Sequence, residues 1–138
     1  MMRHTTEIKL VNLGDLNLAT AGVIKSDEIR QVIVKDALVD SGASRLSLPR
    51  SIIQQLGLQA VDQTKSRTAN GIVERTVYSP VEFTVLGRTD SMRVTDLPDD
   101  CPVLVGHMVM EHLDLHLDMK RGLIYNPEHG DDWIEDQL

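Results

Sequence analysis

The chain has 138 residues, of which 41% are hydrophobic and 25% charged, a balance typical of one ordinary soluble globular domain. The formal net charge is −7 and the sequence shows no cluster of lysine and arginine, so we expect neither a nucleic-acid partner nor a membrane partner. One cysteine, no apolar signal segment and no apolar run near the ~18 residues of a membrane span make the cytoplasm the expected location.

The first third of the chain is rich in patterns typical of short β-strands. Residues 8–13 predict one strand, and the mixed segment 16–24 is interpreted as a second. The β-branched segment 29–34 predicts a third strand. Lys35-Asp36 is expected to form a turn or a bulge before a last short strand at residues 37–40.

The clearest helix is predicted to begin at Pro49, because proline is favoured in the first turn of a helix. Ile52, Ile53 and Leu56 have the spacing of one apolar helix face. Gly57 is a good C-terminal cap, so the helix is expected to end there.

Two β-hairpins are predicted after the helix. Asn70-Gly71 lies between two extended runs, at residues 63–69 and 72–78, and this is the strongest short hairpin signal in a sequence. A second turn around Gly87 separates two further extended segments, residues 81–86 and 92–97.

The C-terminal third predicts a short buried strand at residues 103–105 and a short helix at 107–112. Residues 113–119 alternate between apolar and polar side chains, which favours a half-buried strand, and a turn then leads into one more short strand. We expect one domain at residues 1–126 and an acidic tail at 127–138.

The most informative segment is Ala-Leu-Val-Asp-Ser-Gly-Ala at residues 37–43. A short apolar run ends at Asp40, and Ser41-Gly42 begins a tight turn. An acidic residue at the end of an apolar strand costs free energy unless something uses or satisfies it. On this motif alone, Asp40 is equally a catalytic residue or a turn aspartate that caps its own loop.

Four features in order resemble the retropepsin-like aspartic proteases, most closely their small single-domain bacterial relatives, over roughly residues 30–126. The segment 38–43 is similar to the family's active-site motif, and a strand and helix at 46–58 follow it. The hairpin at Asn70-Gly71 stands where the family has its flap. Leu104-Val105-Gly106 is similar to the family's apolar-apolar-Gly element, which precedes a short helix and a closing hairpin.

The resemblance implies a mostly-β, closed-barrel-like fold with one or two short helices and one lobe per chain. It also implies an aspartic endopeptidase that acts on peptide or protein substrates as a homodimer. Asp40 of each chain would supply one carboxylate of the catalytic pair, because two adjacent carboxyl groups that share one proton activate water in this chemistry. In the same resemblance Ser41, Gly42 and Ala43 shape the active-site loop.

The resemblance assigns further roles and implies no cofactor. His112 and His116 are four residues apart, but this spacing suits a metal only on a helix, so no metal site is expected in a predicted strand. The flap and substrate-binding residues implied are Asn70, Gly71 and Ile72, and those that support the active-site loop are Leu104, Val105 and Gly106. The apolar residues around the motif favour apolar substrate side chains beside the cleaved bond.

Several positions depart from the family pattern and leave alternatives. His107 stands where many viral members have an arginine, Ser44 and Arg45 replace acids, and Gly71 is the only glycine of the flap. The sparse flap and the missing arginine favour a protease-like dimerisation or peptide-binding module with little or no hydrolysis. A monomer with a vestigial site is a third possibility. The intact motif at Asp40 favours the protease. Trp133 is interpreted either as a docking anchor or as part of a disordered end.

Overall fold

The computed structural model describes residues 4–118, 120–121, 123–126 and 130–136. Strands dominate, as the sequence predicts. In chain order the elements are β1 (His4–Asn12), α1 (Leu13–Thr20), a 3₁₀ turn (Ser26–Glu28), β2 (Gln31–Val39), β3 (Leu46–Pro49), α2 (Arg50–Leu56), β4 (Ala60–Thr68), β5 (Gly71–Val85), β6 (Arg88–Leu97), β7 (Leu104–Val105), α3 (His107–His112), β8 (His116–Asp118), β9 (Leu123–Asn126) and β10 (Gly130–Asp136).

Seven strands form one sheet in the order β1-β2-β7-β3-β6-β5-β4, and a second sheet has the order β10-β9-β8. Because β1 also pairs with β5, six strands of the large sheet close into a ring, and β4 extends from it. β2 pairs with β7 in parallel, and so does β3 with β6. This ring confirms the prediction of a mostly-β, closed-barrel-like fold with short helices.

The long strand β5 belongs to both the ring and the projecting hairpin. Its residues 71–78 pair with β4, and its residues 81–84 pair with β1. The register shifts between Tyr78 and Val81, and this irregularity includes Pro80, which has no N–H to donate to a neighbouring strand. The sequence predicted two strands here, whereas the structure has one strand that exchanges partners at the irregularity.

The core fills the ring mainly with aliphatic side chains, as the low aromatic content requires. Ile8 and Leu10 from β1, and Val81 and Phe83 from β5, are completely buried. Leu56 of α2 is also completely buried, so this helix covers one side of the same core. Within the described residues, no helix has the length and apolar composition needed to cross a membrane.

The prediction of a strand at residues 16–24 is wrong, because α1 occupies Leu13–Thr20. Asn12 caps this helix, since its side chain accepts a hydrogen bond from the Asp15 N–H at 3.0 Å. Asp15 lies in the first helical turn, where a negative charge is favourable. These two residues are the start signals that an analysis of apolar periodicity overlooked.

Arg30 joins α1 to the end of α2. Its guanidinium donates to both carboxylate oxygens of the buried Asp15, at 2.8 and 2.9 Å, and its backbone N–H donates a third bond at 3.0 Å. These bonds lower the pKa of Asp15, although burial opposes the shift. The guanidinium also lies over Gly57, the left-handed C-cap of α2, so a Cβ there would overlap it.

Most other predicted elements are confirmed. The bulge at Lys35-Asp36 is present, since Thr6 pairs with Ala37 and Ile8 with Val34, which leaves one extra residue on β2. The helix after Pro49, both hairpins and the helix at His107–His112 are also present.

The predicted strand at residues 113–119 is wrong in its first half. Leu113 caps α3 and Asp114 has a φ of 53°, so the strand that follows is limited to His116–Asp118. Met119 lies outside the described residues. β10 lies within the predicted tail and pairs with β9, so the tail continues the second sheet. The side chain of Trp133 also lies outside the described part of the chain.

Candidate active site

Asp40 is exposed at the C-terminal end of β2, where the parallel pairing with β7 stops. Val39 is opposite Val105 in this pairing, and the Asp40 N–H donates to the Val105 carbonyl at 3.0 Å. The backbone of Asp40 is therefore fixed by the ring, while its side chain projects beyond it. This arrangement holds a carboxylate rigidly without burying its charge.

The turn after Asp40 fixes the carboxylate itself. The Gly42 N–H donates to Asp40 Oδ1 at 2.9 Å, and the Ala43 N–H donates to the Asp40 carbonyl at 3.1 Å. A Cβ at Gly42 would lie 3.2 Å from Oδ1, which is a crowded contact. No other side-chain hydrogen bond reaches the Asp40 carboxylate from the described residues, so its second oxygen is left for water or substrate.

The first turn of α3 holds the loop after Ala43. The His107 N–H donates to the Ala43 carbonyl at 2.9 Å, and the Met108 N–H donates to the Ser44 carbonyl at 3.0 Å. These amides have no partner within their own helix, so the loop satisfies them. Gly106 donates to the Arg45 carbonyl at 3.2 Å, and a Cβ on Gly106 would come within 2.6 Å of that oxygen.

The structure thus brings the active-site loop and its predicted support together. Leu104 pairs with Leu38 of β2 and with Ser47 of β3, which places β7 between the strands on either side of the loop. Glycine is needed at position 106 because the backbone of Ser44 and Arg45 lies too close for a side chain. The φ of Gly106, −80°, would by itself allow any residue.

The predicted flap tip lies apart from this loop. Thr68 closes the turn, because its hydroxyl donates to the Gly71 carbonyl at 2.9 Å and accepts from the Asn70 N–H at 3.2 Å. Gly71 has a φ of 115°, a conformation that other residues rarely adopt. Asn70, Gly71 and Ile72 are exposed and line neither of the two concavities that meet at Asp40.

The first concavity, the hairpin cleft, has a volume of about 610 Å³. Its walls are Asp40 and the loop at residues 42–45 on one side, and the strand β4 at residues 64–68 with Arg75 of β5 on the other. Ser47, Thr95, Leu97 and Leu104 complete the lining. The body of the hairpin, rather than its tip, therefore faces the carboxylate.

The second concavity, the helix pocket, has a volume of about 530 Å³ and lies between Asp40, α3 and β8. Ser41 and His107 stand at this pocket beside Asp40. Five of its remaining side chains are apolar: Val39, Val105, Met110, Leu115 and Leu117. Glu111, Asp114 and His116 also line it and are exposed, so the pocket has an apolar floor beside the carboxylate and a polar rim.

Basic residues at the hairpin cleft were missed by sequence reasoning. Arg45, Lys65, Arg67 and Arg75 all line it, although they come from three separate segments. The sequence has no continuous basic cluster, but the fold brings these separate residues to one cleft, and the lining of this cleft is not apolar as expected. The hairpin at Asn70-Gly71 was the sequence signal that could have predicted part of this cluster, because it pairs residues 63–69 with residues 72–78 and so brings their basic residues together.

The histidines near the site pair with single carboxylates. His107 lies 3.3 Å from Glu111, His112 lies 3.3 Å from Asp90, and His116 lies 3.8 Å from Asp114. Within the described ranges, no three histidine, cysteine or acidic side chains converge on one point where a metal ion would bind.

The comparisons with known proteins agree with this geometry. The aspartyl protease family matches residues 24–113, which is well over half of the chain, so the protein belongs to this family. The matched span contains the whole of the Asp40 loop, the hairpin and α3. A search of curated proteins gave no significant match.

Solved structures show the same fold. The retroviral protease-like domain of Ddi1 from Leishmania major is 14% identical with a TM-score of 0.58, and the match covers 100% of this chain and 95% of that one. EIAV protease, solved with the inhibitor HBY-793, is 22% identical with a TM-score of 0.54, over 85% and 93% of the chains. Simian foamy virus (mac) protease is 25% identical over 59% and 84%, with a TM-score of 0.45. The structures of the Ddi1 domain and of EIAV protease confirm the predicted retropepsin-like fold.

Proposed function

We propose that the chain is an aspartic endopeptidase that hydrolyses peptide bonds as a homodimer, with Asp40 of each protomer forming the catalytic pair. One observation carries this proposal: Asp40 is exposed, fixed by backbone hydrogen bonds, and placed where two concavities meet. This position favours a catalytic role over that of a turn aspartate that only caps its own loop, because such a cap does not require a cleft on either side.

The chemistry requires two carboxyl groups with different tasks. One carboxylate takes a proton from water, and the other, protonated, donates a hydrogen bond to the carbonyl of the bond to be cleaved. Two carboxyl groups about 3 Å apart share a single proton, because both cannot ionise at that distance. Their apparent pKa values then belong to the pair, and no covalent intermediate forms.

A twofold dimer supplies the second carboxylate from a single kind of chain. The helix pocket supports this arrangement, because it offers an apolar surface directly beside Asp40 and Ser41. An apolar centre surrounded by a polar rim is typical of a dimer interface. In this proposal the partner's active-site loop packs at the helix pocket, and the Ser41 hydroxyls link the two loops.

The hairpin cleft receives the substrate. Among the described strands, β4 pairs only with β5, so its outer edge has free backbone donors and acceptors. An extended peptide would bind there as an added strand. Closure of the tip at Asn70, Gly71 and Ile72 would then exclude water from the bound peptide. The cytoplasmic location stays a prediction.

The test is cleavage of a diverse peptide library between pH 4 and pH 7 by the wild type and by Asp40→Asn. General acid–base groups contribute about 10²- to 10⁴-fold, so we expect Asp40→Asn to lower kcat/KM by about 10³-fold while the fold survives. A transition-state-mimicking aspartic protease inhibitor should abolish the same activity.

The matched control is Asp36→Asn, because Asp36 is an exposed aspartate on β2 outside both concavities. Asp36→Asn should cleave like the wild type. Cleavage by Asp40→Asn at the wild-type rate would disprove the assignment. Peptide binding by a folded wild-type dimer without any hydrolysis would favour the peptide-binding module instead.

A further inference from the structure

The hairpin cleft carries a charge opposite to that of the whole protein. The chain has a net charge of −7, yet four of the residues that line this cleft are basic and the only acid among the described lining residues is Asp40. Clefts lined by one sign of charge concentrate oppositely charged ligands. This local inversion therefore points to an anionic ligand.

Arg45 and Arg75 stand on opposite walls. Arg45 lies in the loop that follows the active-site motif, where its carbonyl accepts the Gly106 N–H. Arg75 is half-buried and pairs in register with Thr64, so both side chains share the hairpin face that also carries Ser66. A peptide lying between the loop and β4 would pass between these two guanidinium groups.

Lys65 and Arg67 extend the positive charge along the rim of the cleft. Both are exposed and alternate with Ser66 on β4, so they lie on the other face of the hairpin. Glu74 is opposite Lys65 in the strand register, but the two side chains form no ion pair. The rim therefore carries two cations beside one neighbouring acid.

The cations of this cleft have no acidic partner among the described residues, and the same holds for Arg88 and Arg93 outside the cleft. Arg30, Arg50 and Arg121 pair with aspartates of the chain. Among the described residues, no acid lies within ion-pair distance of Arg45, Arg75, Lys65 or Arg67. An unpaired guanidinium offers several N–H donors in a geometry that suits a carboxylate.

We propose that the hairpin cleft selects peptides with aspartate or glutamate beside the cleaved bond, with Arg45 and Arg75 as the specificity-determining residues. This inference rests on the proposed function, since it names the substrate class of the same site. A peptide fits better than a nucleic acid, because the described lining contains no aromatic side chain for bases to stack on. The open edge of β4 also matches a peptide backbone.

The first measurement compares kcat/KM for peptide pairs that differ only by Glu against Gln, or Asp against Asn, at each position near the cleaved bond. Partly exposed ion pairs change binding by up to about fivefold each, so we expect the acidic peptide to be favoured by about two- to fivefold per cation. Arg45→Gln and Arg75→Gln should each remove part of this preference, and the double variant should remove most of it.

Two readouts show whether the preference for acidic peptides comes from charge or from the shape of the cleft. The preference should weaken as salt rises and also below about pH 4, where the glutamate of the substrate becomes protonated. The matched control is Arg93→Gln, since Arg93 is an exposed arginine of β6 that lines neither concavity. Arg93→Gln should keep the full preference.

Binding by Asp40→Asn separates this inference from the proposed function. Fluorescence anisotropy should show that the acidic peptide binds more tightly than its neutral counterpart, whether or not the wild type hydrolyses it. Equal binding or equal cleavage of the two peptides would overturn the inference and leave the protease assignment standing. Tighter binding of a single-stranded oligonucleotide than of the acidic peptide would also overturn it.

Discussion

The two concavities that meet at Asp40 have opposite chemistry. The hairpin cleft is polar and carries Arg45 and Arg75, whereas the helix pocket has an apolar floor that includes Met110 and Leu117. An apolar surface next to a carboxylate suits permanent burial against another protein surface. A basic cleft with an open strand edge suits a ligand that enters and leaves, so the difference assigns the partner to one side and the substrate to the other.

The largest effect should come from placing a charge in the helix pocket. Leu117→Glu places a charge in the helix pocket, where the proposal buries this side chain against the partner. We expect dimerisation to weaken by about 30-fold or more, as for a central interface residue, with activity lost in parallel. Sedimentation and kcat/KM as a function of protein concentration check this, and activity should return at high concentration.

The control for that change is Leu18→Glu, because Leu18 is 44% exposed on α1 and lines neither concavity. It should leave both the association and the activity unchanged. If Leu117→Glu stays folded, dimeric and active, the helix pocket is not the interface.

A smaller effect should follow from disturbing the contact between Gly106 and the loop after Asp40, which lies between the two concavities. Gly106→Ala forces a methyl group against the backbone of Ser44 and Arg45, so the loop after Asp40 must shift. Overpacking of this kind costs about 1–3 kcal/mol, and we expect the free energy of unfolding to fall by that amount together with kcat.

Denaturant unfolding and steady-state kinetics measure these two effects. Gly22→Ala is the comparison variant, because Gly22 has a φ of 76° but no atom within 4 Å of its Cβ position. It should cost about 1 kcal/mol of stability through backbone strain and leave kcat unaffected. An unchanged stability and kcat in Gly106→Ala would show that this close approach does not fix the loop.

The smallest effect on the site should come from the ion pair of Asp15 with Arg30, which lies outside both concavities. Asp15→Asn should lower the free energy of unfolding by about 1–3 kcal/mol at neutral pH, because a buried carboxylate loses charged hydrogen bonds. The folded-state pKa of Asp15 is lowered, so its contribution is present above the unfolded pKa and disappears as pH falls through the folded pKa.

The difference between wild type and Asp15→Asn should therefore shrink at acid pH, and pH-dependent denaturant unfolding measures it. Asp27→Asn serves as the control, because Asp27 is exposed in the 3₁₀ turn. A difference that stays constant from neutral to acid pH would contradict the role of this carboxylate.

The parts of the fold with strong local signals could be predicted from the sequence. Asn70-Gly71 sets its own turn, Pro49 and Gly57 delimit α2, and the apolar run before Asp40 forms the end of β2. The helix α1 was missed because its apolar spacing is weak, and its position depends on the cap at Asn12 and on the distant Arg30.

The candidate site could be predicted only in part for a similar reason. The Asp40 loop is one continuous motif, so its residues were identifiable. The basic lining of the hairpin cleft comes from Arg45, β4 and Arg75, and it forms only when the hairpin folds over the loop. No local pattern of charge predicts such a cluster, because its members are separated along the chain.

The most direct test of a shared catalytic pair is the activity of mixed dimers. Wild type and Asp40→Asn are refolded together in equal amounts, and the hydrolysis of a cleaved library peptide is compared with that of wild type at the same total concentration. If both carboxylates are needed, only wild-type homodimers act, and the mixture should show about a quarter of the activity. About half of the activity would mean that each protomer works with its own Asp40, which contradicts the shared pair.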